Sequence, residues 1–118
     1  MSQMTLEQRR AADAWQRCER YQREHINISK GLPALIMNSG LMQVLAFCHQ
    51  KGDKHEQVAT DLRCWLGEQF KELPADGNFN KSMEALLNAS PLRFQQINSE
   101  AFAWLKWLRQ LAAARGGV

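Results

Sequence analysis

The stretch KGLPALIMNSGLMQVLAFCHQKG, Lys30 to Gly52, has no acidic residue and holds the densest apolar cluster of the chain, broken by Pro33 and by Asn38-Ser39-Gly40. Three readings compete for it: a membrane anchor, a buried core, or a working site. A spanning helix needs about 20 apolar residues in succession. The run from Leu32 to Cys48 is shorter and contains Pro, Gly, Asn, Ser and Gln, so it is not an anchor. Leu32, Leu35, Ile36, Leu41, Val44, Leu45 and Phe47 are instead predicted to form the centre of a hydrophobic core. Each contributes roughly 1.5–3 kcal/mol when fully buried.

Helical periodicity extends outward from this block in both directions, and alternation of period two is nearly absent. Pro33 suits the first turn of a short helix from Leu32 to Ser39. Gly40 can take the left-handed conformation that ends a helix, and a second helix follows from Leu41 to Lys51, stopped by Gly52. Upstream, Thr5 and Gln8 form a capping box that opens a helix running to about Glu24, and His25 to Ser29 reads as a connection. One side of that first helix is apolar (Ala11, Ala14, Trp15, Cys18, Tyr21) and the other carries arginines. Downstream, Asp53 and Glu56 resemble a second capping box. They open an acidic helix with an inward stripe of Val58, Leu62, Trp65, Leu66 and Gln69, ending near Leu73-Pro74. After the loop ADGNFN, a short helix spans Lys81 to Asn88 with Met83, Leu86 and Leu87 inward. Ser90-Pro91 starts a segment to Gln96, and a last helix runs from Asn98 to about Ala114 with Ala101, Leu105, Leu108 and Ala112 inward and Trp104 and Leu111 broadening that stripe. The expected fold is all-α: a compact single-domain bundle of about five to seven helices, some short, over residues 1–118, with 115–118 frayed.

A chain of 118 residues is enough for one core and too little for two. With 45% apolar and 23% charged residues it lies outside the composition of disordered chains. The N-terminus reaches charge at once and has no apolar leader segment, so the expected location is cytoplasmic. Cys18, Cys48 and Cys64 are odd in number and widely spaced, which suits reduced, buried thiols. The Cys and His positions lack the paired i, i+3 or i, i+4 spacing of a metal site. Cys48 and His49, adjacent on a helix, project about 100° apart and make no thiol–imidazole pair. No glycine-rich phosphate loop or nucleophile elbow occurs. The expectation is a protein with no enzyme activity, no metal, no cofactor and no small-molecule substrate.

What remains is a binding surface. The net charge is +3, partitioned into basic ends and an acidic middle: residues 52 to 79 carry three Lys/Arg against six Asp/Glu. The first helix carries Arg9, Arg10, Arg17, Arg20 and Arg23 and no lysine. Arginine serves planar, bidentate contact with phosphate, although the same residues also keep an exposed face soluble beside Glu7, Asp13, Glu19 and Glu24. Trp15, Trp65, Trp104 and Phe102 sit at core spacing, not as a base-stacking platform, while Trp107 projects off the main stripe.

Lys30, Leu32, Pro33, Ile36, Gly40, Leu41, Gln43, Leu45, Ala46 and Phe47, followed by Glu100, Ala101, Trp104, Leu105, Lys106 and Leu108, resemble the small subunit of the Cmr complex, the type III-B CRISPR RNA-guided effector. With Gln8-Arg9-Arg10-Ala11 the likeness covers nearly the full length. Ser39 stands where the family often has a second Asn, and Trp107 where its terminal arginine would be, with Arg109 two positions later. The resemblance implies a non-catalytic helical subunit whose copies stack into an inner filament. It would lie beside the crRNA-bearing backbone subunits and the large polymerase-like subunit, and hold target RNA through backbone contacts. Arg17, Arg20, Arg23, Lys30, Lys51 and Lys54 are the expected RNA contacts. The competing expectation is a helical protein–protein adaptor that touches no nucleic acid.

Overall fold

The computed structural model describes residues 3–117. Among them are six α-helices and one 3₁₀ turn: α1 Leu6–Arg17, the turn Cys18–Arg20, α2 Arg23–Ser39, α3 Leu41–Lys51, α4 Asp53–Gln69, α5 Phe79–Asn88 and α6 Pro91–Gly116. No strand occurs among the described residues, as the periodicity requires.

The helix starts and stops follow local chemistry where it is strong. Thr5 and Gln8 make the reciprocal capping box, at 3.0 and 2.8 Å. Gly40 and Gly52 bracket α3 with φ of +84° and +69°, values that favour glycine. In α4, Gly67 faces the Pro74 carbonyl so closely that a Cβ would collide with it. This lets residues 70–78 fold back over the helix.

Several expectations are corrected. The predicted long first helix ends at Arg17, because Tyr21 takes an extended conformation and turns its hydroxyl to Asp61 at 2.7 Å. His25 to Ser29 are not a connection but the first turns of α2, with His25, Ile26 and Ser29 buried. Pro33 therefore lies inside a 17-residue helix. Losing its N–H costs on the order of 3 kcal/mol, which burial of Ile26, Leu32, Pro33 and Ile36 offsets.

The two predicted C-terminal segments are one helix of 26 residues. Asn98, expected to start the last helix, lies inside α6, and its Oδ1 accepts the backbone N–H of Leu41, the first residue of α3, at 3.0 Å. The helix runs through Arg115 and Gly116, and Gly117 closes it in the left-handed conformation. Val118 lies outside the described residues.

The core is built on α6, which packs most extensively against α2 and then α1. Ile97, Ala101, Trp104, Leu105, Leu108 and Ala112 are its buried stripe. Around it lie Leu32, Ile36, Leu41, Leu45, Cys48, Leu62 and Leu66. Leu35 and Phe47, expected at the core's centre, are 39% and 44% exposed. α3 turns Leu41, Val44, Leu45 and Cys48 inward, which leaves Phe47 on its flank, edge-on to His55. Leu87 is exposed, Met83 is half-buried, and Trp15 is 47% exposed beneath the Arg115 guanidinium, 4.1 Å from the ring centroid.

Candidate nucleic-acid interface

The six expected RNA contacts fall into three places. Arg17 and Arg20 lie where the end of α1 meets α4. Arg17 is already engaged, by Asp13 at 3.5 Å and Glu68 at 3.2 Å. Arg20 lines an open depression of about 490 Å³ with Tyr21, Gln57, Thr60 and Asp61. Burial pushes the Asp61 carboxyl up, against the Tyr21 hydrogen bond and the charge of Arg17. Carboxylates in this depression offset its cations. Lys51 ends α3, with its ammonium 6.0 Å from the Phe47 ring, and Lys54 in the first turn of α4 lies 3.7 Å from Asp53. Arg23 and Lys30 form the third group, exposed along the outer side of α2. They are seven residues apart, two turns of one helix face.

The chemistry of α6 is visible only in three dimensions. From Ala85 to Gly117 the chain has one carboxylate, Glu100, and the fold removes it from the surface. It is 8% exposed, accepts Arg10 Nε and Nη2 at 2.7 Å each, and accepts the Trp65 indole N–H at 3.0 Å. Hydrogen bonding to Glu100, outweighing desolvation, raises the Arg10 pKa further. The outward side of α6 thus carries Lys106 and Arg109 with Gln95, Ser99 and Gln110 and no acid. The Lys106 ammonium sits over the half-buried Phe102 ring, 5.0 Å from its centroid.

Two contacts set how α2 and α6 run past each other. Asn98 near the start of α6 meets Leu41, just beyond the end of α2. Arg115 at the far end of α6 donates to the Trp15 carbonyl at 2.8 Å and lies 3.5 Å from Glu19, shortly before α2 begins. The helices are antiparallel. Lys30 precedes Leu41 by the same eleven residues by which Arg109 follows Asn98. With equal rise on both helices, about 1.5 Å per residue, Lys30 and Arg109 come opposite each other across the seam. Lys106 and Arg109 belong to the family-like C-terminal block, but the sequence does not show the emptiness of acid around them, which depends on where Glu100 is sent and on what α2 brings alongside.

A different surface gathers exposed apolar groups. Leu35, Ser39, Gln43, Val44 and Phe47 line a groove of about 200 Å³ between α2 and α3, and Met37 is 72% exposed. The Lys30–Gly52 block therefore supplies both core and an outward apolar strip.

Comparison with known proteins gives a consistent result. The family model described as "CRISPR-associated protein (Cas_Cmr5)" matches residues 6–115. The curated protein "CRISPR system Cmr subunit Cmr5" of Thermus thermophilus is 28% identical over 92 residues, 77% of this chain and 74% of its own. The crystal structure of a CRISPR-associated Cmr5 family protein from the same organism has the same fold, with a TM-score of 0.78 over 94% of this chain and 97% of that one at 24% identity.

Proposed function

The chain belongs to the Cmr5 family of CRISPR-associated proteins, and on that premise we propose that it is a non-catalytic small subunit of a type III-B Cmr effector. In this reading it holds target RNA through sequence-independent backbone contacts. Copies of the chain stack into an inner filament, flanked by the crRNA-bearing backbone subunits and the large polymerase-like subunit. The family match over residues 6–115 carries the proposal.

The physical logic is additive. A domain of net charge +3 is a weak RNA ligand alone. For single-stranded nucleic acid, each phosphate neutralised contributes about −0.7 to the slope of log affinity against log salt. Affinity then comes from several copies in register on one strand. Sequence reading belongs to guide–target pairing, so charge and shape are all the protein must provide. Arg20, Arg23, Lys30 and Lys51 have no ion-pair partner among the described residues and remain available for this role.

A second reading, an adaptor that touches only protein, is favoured by the exposed apolar strip of Leu35, Met37 and Phe47. Reconstituting the effector with and without this chain, and measuring target-RNA affinity across salt concentrations, separates the two. Omission that makes the salt slope shallower supports RNA contact. Omission that disrupts assembly while leaving the slope of the remaining complex unchanged supports the adaptor.

A further inference from the structure

A surface that grips a polyanion needs cations neither paired nor shadowed by carboxylates. Of the fifteen Lys and Arg, Arg10, Arg17, Lys54, Arg63, Arg93 and Arg115 lie within ion-pair distance of an acid. Among the described residues the other nine do not. Arg9, Arg20, Lys51, Lys71 and Lys81 are scattered over different elements. Arg23, Lys30, Lys106 and Arg109 are exposed. At about 100° per residue, each stands roughly 100–160° to the same rotational side of its helix's buried stripe. Antiparallel packing of α2 and α6 turns that side to one outer face.

We infer that this α2–α6 seam is the RNA-backbone surface of the chain, with Lys106 and Arg109 of α6 as contacts alongside Arg23 and Lys30 of α2. The inference rests on the proposed function above and specifies where on the molecule it is carried out. Arg23 and Lys30 stand about 10 Å apart along the helix, and packed helix axes lie about 8–10 Å apart. The four charges therefore frame a patch that accommodates roughly two or three successive phosphates of one strand.

The acids nearby, Glu7 excepted, are turned away or occupied. Glu24 follows Arg23 directly and so projects about 100° away from it, toward the other flank of α2. Glu19 lies beside Arg115 at 3.5 Å, and Glu100 is buried under Arg10 and Trp65. Glu7 shares an open depression with Arg10, Lys106 and Gln110 between α1 and α6, beyond ion-pair distance of Lys106. Beyond the charges, Gln95, Ser99 and Gln110 continue the outer stripe of α6 with neutral groups able to hydrogen-bond ribose hydroxyls. Lys106 occupies one face of Phe102, so the seam offers no free ring for reading bases. It is a surface for backbone alone.

The test uses the full chain in the reconstituted effector with guide and single-stranded target RNA. Three double variants are compared with the parent: Lys106→Ala with Arg109→Ala, Arg23→Ala with Lys30→Ala, and the control Lys71→Ala with Lys81→Ala. Helical content and incorporation into the particle are measured for each. The α2 and α6 pairs should each make the salt slope of target binding shallower by about 1.4 per copy engaged, from two phosphates at about 0.7 each, without loss of incorporation. The control pair should leave it unchanged.

A particle that retains the parental slope with both seam pairs neutralised overturns the inference. If omission of the chain still makes the slope shallower in that case, the proposed function stands and the RNA contact lies elsewhere. Loss of incorporation from the α6 pair, with helical content intact, also overturns it and makes the seam a protein interface.

Discussion

Asn98 on α6 caps α3, its Oδ1 accepting the Leu41 backbone N–H at 3.0 Å. This one bond satisfies the start of α3, ties it to the longest helix and fixes the register that brings Lys30 across from Arg109. Replacing a capping Asn by Ala costs about 0.5–2 kcal/mol. Asn98→Ala should lower the urea midpoint accordingly, and Asn98→Asp, which keeps the acceptor, should restore most of the loss. Equal stability of parent and Ala variant would mean that the cap carries no energy.

Glu100 survives inside the bundle only because Arg10 pairs with it through two bonds and Trp65 donates a third. Removing one partner of a nearly buried pair leaves an uncompensated charge. Arg10→Ala should therefore destabilise by about 3 kcal/mol in chemical denaturation, and Glu100→Gln in the same background should recover part of it. Additive losses from the two changes would show that the residues are not coupled.

Leu45 and Phe47 exchange the ranks that residue type alone would give them. Leu45 is fully buried and Phe47 is 44% exposed. Leu45→Ala should cost about 2–5 kcal/mol. Phe47→Ala should cost far less than the roughly 3–5 kcal/mol expected of a buried Phe, because only part of the ring leaves an apolar environment. A Phe47 variant less stable than the Leu45 variant would return Phe47 to the core.

Glu72 responds to acid through Arg93. The two Arg93 hydrogen bonds, at 2.6 and 3.0 Å, hold the Glu72 carboxyl well below its ordinary 4.5, at about 2. A depressed acid contributes stability above its unfolded value and loses it as pH falls through the folded one. The stability difference between parent and Glu72→Gln should be full above pH 4.5 and should close toward pH 2. Asp13 and Asp61, pushed up by burial, act in the opposite sense, so the single variant is needed to isolate Glu72. A gap that stays constant through this range would contradict the pairing.

Local chemistry made much of the fold legible. Thr5 with Gln8, Gly40 and Gly52 mark their helix ends because backbone hydrogen bonding and positive φ are settled within a few residues. The break at Tyr21 carries no Pro or Gly, and depends on Asp61, forty residues away, accepting a phenol. Asn98 reads as a helix start from sequence, yet it lies inside α6 and its side chain serves the first N–H of α3, fifty-seven residues earlier. The site was less legible for the same reason. Arg17 looks free in the sequence and is claimed by Glu68 of α4. Lys106 and Arg109 show in the sequence only as part of the C-terminal block; their acid-free setting is seen once Glu100 is buried and α2 is laid beside them.

The most direct measurement is the density of the assembled effector bound to guide and target RNA. The account predicts a backbone phosphate of the target strand within about 4 Å of at least two of Arg23, Lys30, Lys106 and Arg109 in each copy of the chain. Density in which this face meets only protein or solvent, with the target strand held by other subunits, would contradict it.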